Sequence, residues 1–159
     1  MTRLAELVLA SGRVAETPSR LAKLRIIAEC LRSLEPGEVE IAIAYLSGDI
    51  PQGRLSLGHA TLQAAARNPV SRAQLTLLEV DAAFQAVKRA KGKGAAVLRS
   101  SLLGDLLARA TAAEQDFLVR LIAGELRQGA LEGVMLEALA VAADVPAPDI
   151  RRAAAFAGG

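Results

Sequence analysis

Aromatic residues, cysteine and histidine are all scarce in this chain of 159 residues. Aromatic side chains make up 3% of it, tryptophan is absent, and the one histidine is His59. A single cysteine, Cys30, excludes an internal disulfide, and no spacing of cysteine and histidine indicates a zinc site. Cys30 lies in an apolar stretch, which favours a small buried hydrophobe over a reactive nucleophile.

Long apolar runs are missing too. No run approaches the ~18 residues that a membrane span needs. The N-terminus does not resemble a signal peptide, because Glu6 closely follows Arg3 and the apolar stretch 7–10 is short. The formal net charge is only +2 and indicates no class of partner by itself. We expect a cytoplasmic protein without membrane contacts.

Patterns that carry catalysis are also absent. The sequence contains no Ser-His-Asp set, no metal-binding cluster and no nucleotide fingerprint. Lys91-Gly-Lys-Gly94 lacks the spacing of a phosphate-binding P-loop. His59, near the start of a predicted helix, suits a surface or capping role better than a catalytic one. A self-contained enzyme is therefore the least favoured class, and we expect no metal or cofactor in this chain.

Alanine, leucine and arginine are abundant, and these residues head the scale of helix propensity. Apolar residues recur at helical spacing, and no segment shows the sustained alternation of a strand. The length suits one domain that buries roughly 70% of its unfolded surface. We predict a single compact all-α domain over residues 1–159. Its nine predicted helices are approximately 3–10, 18–34, 38–46, 57–66, 77–90, 95–110, 112–123, 131–143 and 150–156.

Several predicted helix ends rest on recognised signals. Ser11-Gly12 predicts the end of the first helix, and Thr17-Pro18 predicts the start of the second as an N-cap followed by proline. Thr76-Leu-Leu-Glu79 and Thr111-Ala-Ala-Glu114 both have the pattern of a capping box. Tyr45 and the three phenylalanines occupy apolar-face positions and are predicted core residues. The phenylalanines are Phe84, Phe117 and Phe156.

A corner bounded by two glycines occurs twice. Leu46-Ser-Gly-Asp-Ile-Pro-Gln-Gly-Arg-Leu55 aligns at one constant offset with Ile122-Ala-Gly-Glu-Leu-Arg-Gln-Gly-Ala-Leu131. Gly124 is the kind of residue that ends a helix in a left-handed cap. Stacked repeats need about three or more units, so a solenoid is excluded. We interpret the duplication as two pseudo-symmetric halves, roughly 1–70 and 71–159, each presenting one corner.

Cations lie at or just before several predicted helix starts. A helix N-terminus carries partial positive charge, so a cation there costs about 0.3–1 kcal/mol in an isolated protein. Free N–H groups with an arginine form a phosphate site, which would explain the arrangement. The alternative is that these cations are solvated surface residues and the corners are simple tight turns. The residues are Arg20, Lys23, Arg54, Lys91, Lys93, Arg99 and Arg127.

Three stretches resemble the N-terminal DNA-binding domain of ATP-dependent DNA ligases. Phe117-Leu-Val-Arg-Leu-Ile-Ala-Gly-Glu-Leu-Arg-Gln-Gly-Ala-Leu-Glu-Gly-Val-Met-Leu-Glu-Ala-Leu139 is similar to the segment in which a helix ends in Gly-Lys/Glu-Leu-Arg-x-Gly and a second helix follows. Thr17-Pro-Ser-Arg-Leu-Ala-Lys-Leu24 resembles the start of an early helix of the family, and Gly53-Arg-Leu-Ser-Leu-Gly58 resembles its Leu-x-Leu-Gly stretch. Order and spacing match along essentially the whole chain, and the short version resembles bacterial members.

The resemblance implies an all-helical domain with internal pseudo-two-fold symmetry. It also implies a monomer that grips nicked double-stranded DNA without sequence specificity, through minor-groove and phosphate-backbone contacts, and so associates with the nucleoid when bound. The Lys91–Gly94 loop is included on position and charge. The implied DNA-binding residues are Ser19, Arg20, Gly48, Gln52, Gly53, Arg54, Lys91, Lys93, Gly124, Arg127, Gln128 and Gly129.

One departure from the family bears on activity. The ligases attach AMP to the lysine of Lys-x-Asp-Gly, and no aspartate in this chain is followed by glycine. The resemblance therefore implies a module without a nucleotidyltransferase site. The catalytic and OB-fold domains, which use ATP and Mg²⁺, would follow Gly159. The parent enzyme would seal nicks in DNA repair, replication and recombination.

Two other classes of binding protein stay open. An all-helical protein–protein interaction module would use apolar grooves, and its binding would be largely insensitive to salt. A sequence-specific helix-turn-helix regulator needs base-reading side chains at the start of its recognition helix. The helix after Arg127 begins Leu131-Glu-Gly-Val and has none.

Overall fold

A computed structural model describes residues 1–126 and 131–143. These residues form eight α-helices and one short 3₁₀ helix, Pro36–Glu38, which confirms the all-α prediction. The ninth predicted helix, 150–156, and Phe156 lie outside the described residues. The α-helices are α1 Leu4–Glu16, α2 Arg20–Arg32, α3 Val39–Leu46, α4 His59–Ala64, α5 Leu77–Arg89, α6 Ala95–Ala108, α7 Ala112–Ala123 and α8 Leu131–Ala143.

The boundary between α1 and α2 differs from the prediction. Helix α1 continues through Ser11 and Gly12 because its buried stripe extends to Val14, and burial of that stripe outweighs the roughly 0.5–1 kcal/mol that a helical glycine costs. Thr17 is not the N-cap of α2. Ser19 takes that role, and its hydroxyl accepts a hydrogen bond of 3.2 Å from the backbone N–H of Ala22.

Both predicted capping boxes are confirmed. Thr76 and Glu79 exchange side-chain-to-backbone hydrogen bonds at the start of α5. Thr111 and Glu114 do the same at the start of α7. Helix α4 is shorter than predicted, since it begins at His59 rather than near residue 57.

The core joins the two halves of the chain. Tyr45 on α3 and Phe84 on α5 are both buried, and their rings meet edge to face with centroids 6.0 Å apart. Phe117 is also buried, so the three described aromatic residues confirm their predicted core positions. The other large fully buried side chains are aliphatic: Leu4, Leu7, Ile27, Leu75, Leu77, Leu103, Leu106, Leu107, Leu118 and Leu121.

Helix contacts cross between the halves in matching pairs. Helix α1 packs on α7 while α5 packs on α3, and α2 packs on α8 while α4 packs on α6. The chain before α1 pairs antiparallel with the chain before α5. Leu4 N–H donates to Leu75 O at 2.9 Å, and Leu77 N–H donates to Thr2 O at 3.0 Å. The contacts between the halves are thus reciprocal, and the pseudo-two-fold relation between them stays a prediction.

Candidate nucleic-acid interface

The first corner follows α3 and depends on two glycines with left-handed backbone. Gly48 has φ +83° and Gly53 has φ +77°. An L-residue with a side chain pays roughly 1–2 kcal/mol in that region, because its Cβ meets a carbonyl oxygen. A backbone hydrogen bond from Gly53 N–H to Ile50 O, of 2.9 Å, closes the turn. The glycines therefore let the chain reverse within a few residues.

The second corner begins with the same turn. Gly124 ends α7 with φ +77°, and its N–H donates to Leu121 O at 3.2 Å. Glu125 N–H donates to Arg120 O at 2.9 Å. The first corner makes the two corresponding bonds with Gly48 and Asp49 as donors, of 3.0 and 2.8 Å. The rest of the second corner, including Arg127, Gln128 and Gly129, lies outside the described residues.

The two corners lie against one open groove of about 600 Å³. They are distant in the sequence, so the tertiary structure alone brings them together. Four predicted DNA-binding residues line the groove, namely Gly48, Gly53, Arg54 and Gly124. Ser56, on the same wall, has φ +56°, the one positive φ of a non-glycine residue in the part of the chain that the structure describes.

Two side chains of helix α5 form hydrogen bonds with the first corner. The side-chain nitrogen of Gln52 donates to Asp81 Oδ1 at 2.8 Å, and Lys88 Nζ donates to the backbone oxygen of Arg54 at 2.7 Å. Gln52 is half-buried. This predicted DNA-binding residue therefore has an intramolecular partner, Asp81. The Arg54 side chain is exposed.

Ser19 and Arg20 lie at the start of α2, beside α8. The Arg20 guanidinium pairs with the Glu137 carboxylate at 2.8 Å, with both side chains substantially exposed. Ser19 is also exposed, and its hydroxyl caps the helix. Arg20 is thus a cation on the surface with an intramolecular partner, and a phosphate would compete with Glu137 for it.

The loop between α5 and α6 is strongly basic. Between Asp81 and Asp105 the chain carries no acidic residue. Lys91 and Lys93 are exposed and make no ion pair with any residue that the structure describes, while Gly92 and Gly94 both have φ +82°. The cations of this stretch are Lys88, Arg89, Lys91, Lys93 and Arg99.

The one cysteine and the one histidine of the chain lie in different surroundings. Burial raises the pKa of Cys30 to about 11, and the negative charge of Glu6 adds to the effect, so the thiol stays neutral. His59 is exposed at the start of α4, where its ring contacts the Gln63 side chain at 3.0 Å. Within residues 1–126 and 131–143, no group of acidic, histidine and cysteine side chains could hold a metal ion.

Residue patterns alone did not reveal that Asp81 and Lys88 contact the first corner or that Glu137 pairs with Arg20. Asp81 and Lys88 lie seven residues apart on one helix, a spacing that places them on the same face. That spacing names no partner, because the corner they contact lies far away in the sequence. These contacts join residues that are distant in the sequence, so a search for paired charges within each helix would not have found them.

These observations define an all-α domain in which two glycine corners line one groove and the loop between α5 and α6 is basic. The chain belongs to the family described as DNA ligase N terminus, whose sequence model matches residues 56–140. The matched stretch contains the basic loop, α7 and the Gly124 cap. Of the helices that the structure describes, none is both long and apolar enough to cross a membrane.

Similar proteins support the same assignment over the whole chain. A probable DNA ligase of Anaeromyxobacter sp. (strain Fw109-5) is 49% identical over 98% of this chain and 30% of its own length. Probable DNA ligases of Rhodococcus opacus (strain B4) and Saccharopolyspora erythraea are 46% and 49% identical over 96% and 99% of this chain. The chain spans about 30% of the length of these relatives.

Proposed function

We propose that this chain is the N-terminal module of an ATP-dependent DNA ligase and binds duplex DNA around a nick without reading its sequence. The observation that carries the proposal is that Gly48, Gly53, Arg54 and Gly124 line one groove. Glycines let a backbone approach a ligand closely, and an arginine can hold a phosphate with a forked pair of hydrogen bonds. Such contacts position a protein on DNA without specifying sequence.

Charge supports a second contact through the basic loop. Lys91 and Lys93 are exposed on a turn shaped by two left-handed glycines, without an ion pair among the described residues. A DNA phosphate bound there would neutralise the positive charge of Lys91 and Lys93, which no described acidic residue pairs with. We assign Ser19 and Arg20, together with Arg127, Gln128 and Gly129 of the second corner, to the same DNA-binding surface.

The proposal extends to the parent enzyme. It would use ATP and Mg²⁺ in catalytic and OB-fold domains outside this chain, and would seal nicks in repair, replication and recombination. The module itself would act as a monomer without cofactor, in the cytoplasm and at the nucleoid when bound. Residues 1–159 would form one DNA-binding domain with halves at roughly 1–70 and 71–159.

The proposal is tested by fluorescence anisotropy of a labelled nicked duplex, titrated with the chain at several salt concentrations. We expect affinity to fall with salt at a slope of roughly −0.9 per phosphate neutralised, and to be equal for unrelated sequences. Binding that ignores salt, or no binding at low salt, would contradict a phosphate-based interface. An intact duplex measured in parallel shows whether the nick is sensed.

Single substitutions assign the surface. Arg54→Ala should weaken binding to all sequences alike and reduce the salt slope by about one unit. Arg72→Ala is the matched control, because Arg72 is exposed in the connector before α5 and does not line the groove. If both variants lose affinity equally, the groove is not the binding surface.

Arg20 allows a test of opposite signs. Arg20→Ala should weaken DNA binding, whereas Glu137→Gln should strengthen it, because the ion pair of 2.8 Å then no longer competes with phosphate. Weakening by both substitutions would mean that the pair stabilises the domain and that Arg20 does not reach DNA.

A second candidate, a protein-interaction module, is favoured by one observation. A cleft of about 310 Å³ lies between α1 and α7, with Val8, Val14 and Phe117 among its apolar lining. A helix or loop of another protein would bind there mainly through apolar burial. Such binding would change little with salt, and substitutions in the glycine corners would leave it intact.

A further inference from the structure

We propose that Asp81 is a positioning residue for the first corner, which it holds through Gln52 in the shape that lines the groove. The inference rests on the proposed function and deepens it. It assigns Gln52 an inward role, in place of the direct DNA contact that the family resemblance implies.

The sign of the charge is the first argument. Asp81 contacts Gln52, which does not line the groove, whereas Arg54, two residues further along, lines it and would face phosphates. A carboxylate near a phosphate site opposes an anionic ligand, so anion binding alone does not account for an aspartate there. Fastening the corner does account for it, because the carboxylate accepts the Gln52 side-chain N–H at 2.8 Å.

The surroundings of this contact supply the second argument. The phenol of Tyr45 is buried, burial raises its pKa, and the charge of Asp81 raises it further. The charge of Asp81 is therefore felt at the buried Tyr45 phenol on α3, the helix that leads into the corner, as well as at Gln52. Lys88, two turns along α5, binds the Arg54 backbone oxygen at 2.7 Å. The corner is thus held at two points by one helix of the other half.

The two points bracket the turn itself. Gln52 and Arg54 flank Gly53, whose left-handed backbone has open space around the position of a Cβ. No side chain packs at this position to fix the turn. The Gly53 N–H bond to Ile50 and the two contacts with α5 therefore act on this turn, in addition to the core packing of Ile50 and Leu55 on either side of it.

The decisive experiment compares Asp81→Ala with Asp81→Asn in the 159-residue chain. Asparagine removes the charge but keeps an oxygen that can accept from Gln52. We expect Asp81→Ala to bind a nicked duplex roughly tenfold more weakly, because a corner in the competent shape a tenth of the time binds tenfold less well. Asp81→Asn should bind at least as tightly as the unsubstituted chain, because the Gln52 contact is kept and one negative charge is removed. The salt slope should be unchanged in both, since no phosphate contact is removed.

A purely electrostatic role makes the opposite prediction. Both substitutions would then tighten binding, and that result would overturn the proposal. Asp105→Asn, an exposed carboxylate on α6, is the control for the loss of one negative charge. Gln52→Ala should reproduce the effect of Asp81→Ala, and the double variant should be no weaker than either single one. Additive losses would also overturn the proposal, because coupled partners are not additive.

A readout without DNA separates this inference from the proposed function. Hydrogen exchange of the Gly53 amide should accelerate in Asp81→Ala and not in Asp81→Asn, while core amides stay protected in both. Unchanged exchange at Gly53 in Asp81→Ala would overturn the positioning role. If the unsubstituted chain binds no DNA at any salt concentration, the proposed function fails, and exchange at Gly53 still decides whether Asp81 holds the corner.

Discussion

A capping box opens α7 in the second half and the 3₁₀ helix just before α3 in the first, and its glutamate has different partners in the two halves. Glu38 and Glu114 occupy corresponding positions in the two capping boxes, and both are fully buried or nearly so. Glu38 also accepts hydrogen bonds of 2.7 Å from both the backbone N–H and the hydroxyl of Thr2. Its two oxygens therefore tie the N-terminal segment to the start of α3.

Glu114 has fewer partners. One of its oxygens accepts from the N–H of Thr111 at 2.8 Å, while the other is buried without a hydrogen-bond partner among the described residues. The capping box thus occurs in both halves, but only Glu38 also has a long-range partner, Thr2. Two capping boxes at corresponding positions can therefore contribute unequally to stability.

Replacing the two glutamates by alanine should give the largest difference between the halves. We expect Glu38→Ala to cost about 3 kcal/mol, because hydrogen bonds to charged groups contribute roughly 1.5–3 kcal/mol and the Thr2 donors stay buried. Glu114→Ala should cost about 1 kcal/mol, the usual effect of losing a cap. Urea unfolding of both variants measures the difference, and equal costs would show that the Thr2 contacts contribute nothing.

Acid should lower the free energy of unfolding by protonating the Glu38 carboxylate. The loss should be smaller than the loss caused by Glu38→Ala. Burial raises the pKa of Glu38, but the hydrogen bonds from Thr2 and Glu35 outweigh it and hold the pKa below the ordinary 4.5. The unfolded chain therefore takes up this proton first. The stabilisation is complete above about pH 4.5 and is lost as the pH falls through the lowered pKa.

Glu38→Gln isolates this contribution. Unfolding free energies measured from pH 6 downward should fall less steeply for the variant, since glutamine does not titrate. Glu79, whose pKa is lowered chiefly by the Thr76 hydroxyl, keeps part of the slope in both proteins. Identical slopes would contradict the assignment to Glu38.

The glycine turns should respond equally in the two halves. Gly48 and Gly124 have φ +83° and +77°, so alanine at either position should cost about 1–2 kcal/mol through backbone strain. At Gly124 a Cβ has open space, so no steric clash adds to that cost. Thermal unfolding of both variants tests this equality. A much larger cost at one corner would show that the turns are not equivalent.

The smallest effect should be a gain in the first helix of the first half. Gly12 lies inside α1, at the helical position that Gln85 occupies in α5, and a Cβ there meets nothing within 4 Å. Gly12→Ala should stabilise the domain by about 0.5–1 kcal/mol, because helical glycine loses more backbone entropy than alanine. Gln85→Ala is the control, with little change expected. A loss of stability in Gly12→Ala would mean that α1 needs the glycine.

Sequence patterns predicted the local elements well where a signal and a buried stripe agreed. Both threonine capping boxes, the Gly124 cap and the eight helices within the described residues follow from such agreement. The predictions of a helix end at residues 11–12 and of a helix cap at Thr17 were wrong. Burial along α1 outweighed the first of these weak local signals, and a better cap at Ser19 replaced the second. Helix ends are decided by small energies, so packing easily shifts them.

The sequence by itself determined an all-α domain, a duplicated corner and its membership of the ligase family, because helical periodicity, glycine spacing and motif order are local properties. Only the tertiary structure decided that the two corners share one groove, that Asp81 and Lys88 fasten the first corner, and that Arg20 pairs with Glu137. The physical reason is that these contacts join residues far apart in the chain. No periodicity encodes them, and they exist only once the helices of the two halves pack on one another.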